Sequence, residues 1–268
     1  MRGSVARKDR DRRQKWLVFL IAGFAIAAFA GIIVWKIVSH SDSPDARLCP
    51  SRTGPSGHVV LLVDKTDPLS FTQARALRQI LEDGAKGKYV LEGELLSVFV
   101  LGDDFRDTAD PIFERCNPGD GSTRSKIYEN PELWKRKFES EFVKPLLALE
   151  PQMRSPAAVK NSPILEMLQV VALSFAKHDV QGRRNLVVVS DMLHNTAFYS
   201  QYRDPLTFQS LKQRPEFTKL RSKLDAVDVE IYLLMHSPQL QSRRLVKFWE
   251  DFLRDMGGRL QKVELLPG

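Results

Sequence analysis

Hydrophobic positions fall into three kinds of run along this chain, and each predicts a different element. The first is unbroken: Trp16 to Trp35 (WLVFLIAGFAIAAFAGIIVW) contains no charged residue. The second is short, apolar and rich in β-branched residues, as in strands covered on both faces. It recurs at His58–Asp64 (HVVLLVD), Leu95–Leu101 (LLSVFVL), Asn185–Ser190 (NLVVVS) and Val229–Met235 (VEIYLLM), with a weaker last example at Arg259–Leu265. The third repeats at three- and four-residue intervals, the period of an amphipathic helix. Leu69, Ala76, Leu77, Ile80 and Leu81 form one such stripe. It follows Asp67-Pro68, which reads as an N-cap and a first-turn proline. Trp134, Phe138, Phe142, Leu146 and Leu149 form another behind Asn130-Pro131. A helix starting at Ser162-Pro163 is apolar on most sides, and Arg243–Met256 is amphipathic and ends at Gly257-Gly258.

Strand and helix patterns alternate over residues 58–268. That predicts an α/β domain with a doubly wound, mostly parallel sheet and helices on both faces. Asp103–Asn130 interrupts the alternation as a long polar stretch with Pro111, Pro118, Gly119 and Cys116. Residues 36–57 are polar and rich in Ser, Pro and Gly, and read as a linker.

The run at 16–35 would extend about 30 Å as a helix, enough for a bilayer core. Trp16 and Trp35 bracket it, where amphipathic rings favour the headgroup region. A cleaved signal peptide has a shorter apolar region, and Ala28 and Ala30 lie inside this one. An uncleaved transmembrane helix is therefore expected. Gly23, Ala27 and Gly31 give it a small-residue face, either a chance spacing or a homodimer contact.

Charge sets the orientation. The chain has 40 Lys+Arg and 33 Asp+Glu, a net +7. Residues 1–15 hold seven basic residues and two acidic ones, a net +5, which leaves +2 for the remainder. The high pI thus belongs mostly to the tail and gives no case for nucleic-acid binding. The basic tail predicts a cytoplasmic N-terminus at the inner membrane, with the domain periplasmic or extracellular. There Cys49 and Cys116 would meet an oxidising compartment and pair with each other, the alternative being two thiols. The five histidines show no metal-ligand spacing, and no GxSxG, P-loop or GxGxxG motif is present.

Ligands of such sheets bind at the carboxyl ends of the strands. The first strand ends in Asp64-Lys65-Thr66-Asp67-Pro68, the third in Ser190-Asp191, and Asn161-Ser162-Pro163 precedes the buried helix. Carboxylates with hydroxyls make an oxygen-only site suited to Mg²⁺ or Mn²⁺, or to Ca²⁺. Over residues 58–268 the chain resembles a von Willebrand factor type A domain. That family places Asp-x-Ser-x-Ser after its first strand, a Thr from a middle loop and an Asp after a later strand. The resemblance implies a metal-ion-dependent adhesion site at Asp64, Thr66, Ser162 and Asp191, and binding of another protein rather than catalysis. Pro68 stands where the third hydroxyl should be. Asp67 and Ser162 also read as helix caps, and Asp191 as ordering its loop.

Two rivals share these residues. One is a metal-free scaffold of the same fold. The other is phosphoryl transfer, because DKTDPLS resembles the DKTGTLT motif of P-type ATPases, with Asp64 as nucleophile. Asp67 and Pro68 depart from that motif, and Gly102-Asp103-Asp104 precedes Ser190, the wrong order. His194, three residues after Asp191, reads as a surface residue before a general base. Phe198, Tyr199, Tyr202 and Arg203, on the loop after Asp191, suit a protein partner or packing on the sheet edge. Arg243, Arg244 and Lys247 read as a solvated helix face.

Overall fold

The computed structural model describes residues 3–40, 44–122, 130–155, 157–178 and 180–268; the side chains of residues 3–15, 18 and 36–40 are not described. Two compact units divide at residue 43, and each is considered by itself.

The first unit contains one helix, α1 (Gly3–His40). It exposes Leu17, Phe19, Leu20, Phe24, Ile26, Phe29 and Trp35. Among the described residues no helix is long and apolar enough to cross a membrane. The segment expected to span the bilayer is helical, but it contains Val18, whose side chain lies outside the description. The helix runs to His40, beyond the start of the expected linker, and residues 41–43 lie outside the described residues.

The second unit is a three-layer α/β domain. Its elements are β1 (His58–Asp64), α2 (Phe71–Ala85), β2 (Leu95–Leu101), β3 (Phe113–Cys116), α3 (Pro131–Phe138), α4 (Lys144–Leu147), α5 (Ile164–His178), β4 (Arg184–Ser190), α6 (Phe208–Lys212), α7 (Phe217–Leu220), β5 (Val227–Met235), α8 (Arg243–Asp255) and β6 (Arg259–Pro267). A π-helical turn at Glu139–Val143 joins α3 to α4. The six strands run in the order β3-β2-β1-β4-β5-β6, and only β3 is antiparallel to its neighbour.

Burial explains why the strands read as continuous apolar runs. All seven residues of β1 and of β2 are buried. Alternate β1 residues serve opposite cores, since the side-chain period of a strand is two. Val60 and Leu62 join α5 and α8 on one face, around Phe248, Trp249 and Phe252. Val59, Leu61 and Val63 join α2, α3 and α4 on the other, around Leu77, Leu81, Phe138 and Phe142. Helix α8 ends as the glycine pair predicts: Gly257 has φ +87, and a Cβ there would meet Asp225 Oδ1 at 2.4 Å.

Three expectations change. Helix α2 starts at Phe71, not at Pro68: Ser70 is the N-cap, its Oγ accepting from Gln73 N–H while Gln73 Oε1 accepts from Ser70 N–H. That capping box outcompetes Asp67-Pro68. The polar stretch after β2 contains β3, a strand too short and too half-buried to show a pattern; residues 123–129 of that stretch lie outside the described residues. Residues 44–57, read as linker, belong to the folded unit. A Cys49–Cys116 disulfide holds them, Leu48 is buried, and the Arg47 carbonyl accepts from Cys116 N–H at 2.8 Å. The bridge closes 67 residues, worth about 4 kcal/mol in the chain-entropy account.

Candidate functional site

Parallel pairing of β1 with β4 puts Asp64 and Ser190 at one sheet edge, because Val63 and Val189 are in register. Asp64 is buried, and both its oxygens are engaged. Oδ1 accepts from the Thr66 N–H at 2.9 Å and the Thr66 hydroxyl at 2.7 Å. Oδ2 accepts from Ser190 Oγ at 2.7 Å and, more weakly, from Ser162 Oγ at 3.5 Å. Ser162 arrives from the loop before α5 and is fixed by a two-bond bridge: its N–H donates to the Asn195 carbonyl and its carbonyl accepts from Asn195 N–H. A hydroxyl that gives its proton to a carboxylate keeps its lone pairs for a cation. Asp64 therefore turns Thr66, Ser162 and Ser190 into acceptors.

Asp191 follows Ser190. The next residue, Met192, takes the left-handed conformation (φ 58), and Trp249 Nε1–H donates to its carbonyl at 2.8 Å. The turn leaves Asp191 Oδ1 to accept from Leu193 N–H. Asp67, behind β1, and His236, directly behind β5, complete the edge. One ligand atom each from Asp67, Asp191 and His236 lie within 4.8 Å of one another.

The electrostatics are one-sided. Burial pushes the Asp64 carboxyl above its ordinary range, against the hydrogen bonds from Thr66 and Ser190. Burial raises Asp191 well above that range, and the Asp64 charge raises it further. The Tyr202 hydroxyl is also pushed up, by burial and then by Asp191, Asp67 and Asp64. Among the described residues neither Asp64 nor Asp191 has a lysine or arginine partner, and Asp67 has only His236 at 4.0 Å. Three carboxylates and several hydroxyls with no balancing charge fit a divalent cation.

The structure thus gathers Asp64, Thr66, Ser162 and Asp191 at one edge. Ser162 does not act as a helix cap: its hydroxyl turns to Asp64, and the Leu165 N–H at the start of α5 meets His194 Nδ1 at 3.4 Å instead. Ser70 does not restore the hydroxyl lost at Pro68, since it caps α2. The aromatic loop divides. Tyr199 is fully buried, stacks on Phe248, and its hydroxyl donates to the Pro205 carbonyl, so it serves the core and not a partner surface. Phe198 packs against the same core. Tyr202 and Arg203 are exposed, and Arg203 donates to the Thr196 carbonyl. His194 is no surface residue: it is buried, and burial drives its pKa to about 3.

Sequence reasoning left Ser190 and Asp67 out of the metal set and missed His236. The available signal was positional, since each stands at or just beyond the carboxyl end of a parallel strand.

The strand order, register and strand-end acids of residues 44–268 fit a von Willebrand factor type A-like fold. No family model and no curated protein matches the chain. Among solved structures it is similar to an aerotolerance-related membrane protein from Bacteroides fragilis, at 11% identity and a TM-score of 0.35, over 77% of this chain and 90% of that one. It is also similar to the human COPII-coat protein Sec24c, at 11% identity and a TM-score of 0.39, over 80% of this chain and 29% of that one. The chain thus spans less than a third of Sec24c. The type A-like assignment rests on the topology and the strand-end acids.

Proposed function

We propose that the chain is a membrane-anchored protein-interaction module of a bacterial envelope assembly, not an enzyme, whose type A-like domain binds a partner through a divalent cation. The observation that carries this reading is the uncompensated set Asp64, Asp67 and Asp191 at the carboxyl edge of the sheet. Thr66, Ser162 and Asp191 would hold the ion, with Asp67 and His236 beside them, while Asp64 organises the hydroxyls. When bound, the ion would offer a coordination position to an acidic side chain of the partner. Tyr202 and Arg203, exposed on the neighbouring loop, would flank that contact.

Phosphoryl transfer through Asp64 is the rival that this proposal sets aside; there Asp64, whose oxygens accept from Thr66 and Ser190, would be the nucleophile.

Residues 16–35 of α1 would anchor the module, N-terminus cytoplasmic and domain periplasmic. Gly23 and Gly31 have nothing within 4 Å of an added Cβ, which leaves that face open to a second copy.

Thermal unfolding of the full chain in detergent tests the site. The melting temperature should rise on adding a divalent cation after EDTA, and a glutamate-bearing peptide should bind only the loaded form. No rise with Mg²⁺, Mn²⁺, Ca²⁺ or Zn²⁺ would leave the metal-free scaffold as the better account. Alkaline carbonate extraction tests the anchor: release of the chain from membranes would remove it.

A further inference from the structure

The site contains one donor that an all-oxygen ion does not need. His236 is the residue immediately after β5, and its Nδ1 is buried without a hydrogen-bond partner. Its other nitrogen is not free. Nε2 lies 3.1 Å from Gln73 Oε1. The Gln73 amide has a fixed orientation: Oε1 accepts from Ser70 N–H at 3.0 Å, and Nε2 donates to the Leu266 carbonyl at 3.3 Å. An amide oxygen only accepts, so the neutral imidazole carries its hydrogen on Nε2. Nδ1 is then a bare lone pair 4.0 Å from Asp67 Oδ2, in the cluster that also includes Asp191.

A lone pair facing carboxylates is repelled by them unless a proton or a metal ion sits between. His58 also has an unpaired Nδ1, but the acid near it, Glu114, already meets His178 and Arg47. Asp191 stands beside it, 4% exposed, with Oδ1 taking the Leu193 N–H.

One residue locks the two together. Gln241 Oε1 accepts from the N–H groups of His236 and Ser237, both at 2.9 Å. Its Nε2 donates to the Asp191 carbonyl at 2.9 Å and to the Leu234 carbonyl at 2.6 Å. A metal-bound imidazole typically donates its remaining N–H to an oxygen acceptor and is held by such outer contacts. Gln73 and Gln241 supply both.

We propose that His236 Nδ1 and Asp67 join Asp191 in coordinating the cation, and that this nitrogen-bearing set selects a first-row transition ion over Mg²⁺ and Ca²⁺. The inference rests on the proposed cation site and fixes its metal class. Pro68 removed a hydroxyl from the loop after β1, and His236 brings a nitrogen from the end of β5 to the same edge. Imidazole nitrogen favours ions such as Mn²⁺, Co²⁺ and Zn²⁺, in rising order toward zinc, whereas Mg²⁺ and Ca²⁺ take oxygen donors.

The test uses the full chain in detergent and Mn²⁺ as probe, read by loss of the free-ion electron-spin signal. Zn²⁺ should displace Mn²⁺ at stoichiometric levels, while Mg²⁺ and Ca²⁺ should need a large excess. Spin-echo spectra of the bound Mn²⁺ should show modulation from an imidazole nitrogen. H236Q should remove that modulation and weaken Mn²⁺ and Zn²⁺ by at least about tenfold, the usual scale for losing part of a metal's support. Melting of H236Q in EDTA, unchanged from the parent, shows that the fold is kept. If H236Q melts early, Q241A replaces it, and the same loss of affinity is expected with the nitrogen signal retained. Binding of Mg²⁺ or Ca²⁺ as tight as Zn²⁺, with no nitrogen signal, would overturn the histidine set and leave the oxygen site standing. No binding of any ion would overturn both.

Discussion

The two ends of the parallel sheet bury ionisable groups in opposite ways. At the amino ends, each buried acid has an opposite charge. Glu94, 3% exposed, accepts a two-pronged pair from Arg183 at 2.5 and 2.7 Å. Glu114 meets His178 at 3.1 Å and Arg47 at 3.1 Å, and the His178 bond holds its carboxyl down at about 2. His58 donates toward Ser97, whose hydroxyl passes to Glu114. The disulfide closes that end. At the carboxyl ends, Asp64, Asp67 and Asp191 face hydroxyls, one histidine and each other. An interior that balances its charges needs nothing from outside. On the proposed reading, the difference separates an end that stabilises from an end that recognises.

Four experiments break or sharpen that contrast. The largest effect should come from the closed end: replacing Cys49 and Cys116 together by Ala should lower the unfolding free energy by about 4 kcal/mol in urea titration. A much smaller loss would mean that residues 44–57 are held by their other contacts.

Charge removal should then have opposite signs at the two ends. R183M leaves Glu94 buried without its partner and should cost about 2 kcal/mol, less than a fully buried pair because Arg183 is 37% exposed. D191N should instead raise the melting temperature by a few degrees in EDTA at pH 8. The folded state holds the Asp191 proton more tightly than the unfolded chain, so the parent's advantage is present at low pH and lost as pH rises through the raised value. The asparagine has no such loss, and its gain should vanish in acid. With a bound cation the order should invert, since the substitution removes a ligand. Destabilisation by D191N in EDTA at every pH would show that the acid is structural.

Acid should weaken the fold in two windows. His58 and His194 have pKa values driven by burial from 6.5 to about 3. The unfolded chain binds those protons first, so stability should fall as pH drops below about 6.5. Glu114, held at about 2 against an ordinary 4.5, adds a second loss from pH 4.5 downward. Two inflections in stability against pH, the lower one absent in E114Q, would separate them.

The smallest effect marks the background. Lys247 pairs with Asp251 on the exposed face of α8, and K247A should leave melting and metal response unchanged.

The sequence determined the elements whose pattern is driven by burial. The strands at 58, 95, 185 and 229 are legible because both faces of the sheet are covered, which forces continuous apolar runs. The end of α8 is legible because only glycine tolerates φ +87 beside Asp225. Asp64 is legible because an acid closing a fully buried strand must meet donors. Pattern also named Cys49 and Cys116, the only two cysteines.

The tertiary structure decided what depends on distant residues meeting. Helix α2 starts at Ser70 because a reciprocal bond with Gln73 competes successfully with an earlier cap. Strand β3 exists through pairing with β2, not through its own four residues. Tyr199 goes to the core because Phe248, forty-nine residues later, lies parallel to it. His236 shows nothing in sequence beyond a histidine after a strand. Its place beside Asp67 and Asp191, its fixed tautomer and its unpaired nitrogen come from Gln73 and Gln241, which reach it across the sheet edge. Periodicity reports which face a residue takes; it carries no information on which strand ends become neighbours, and that adjacency makes the site.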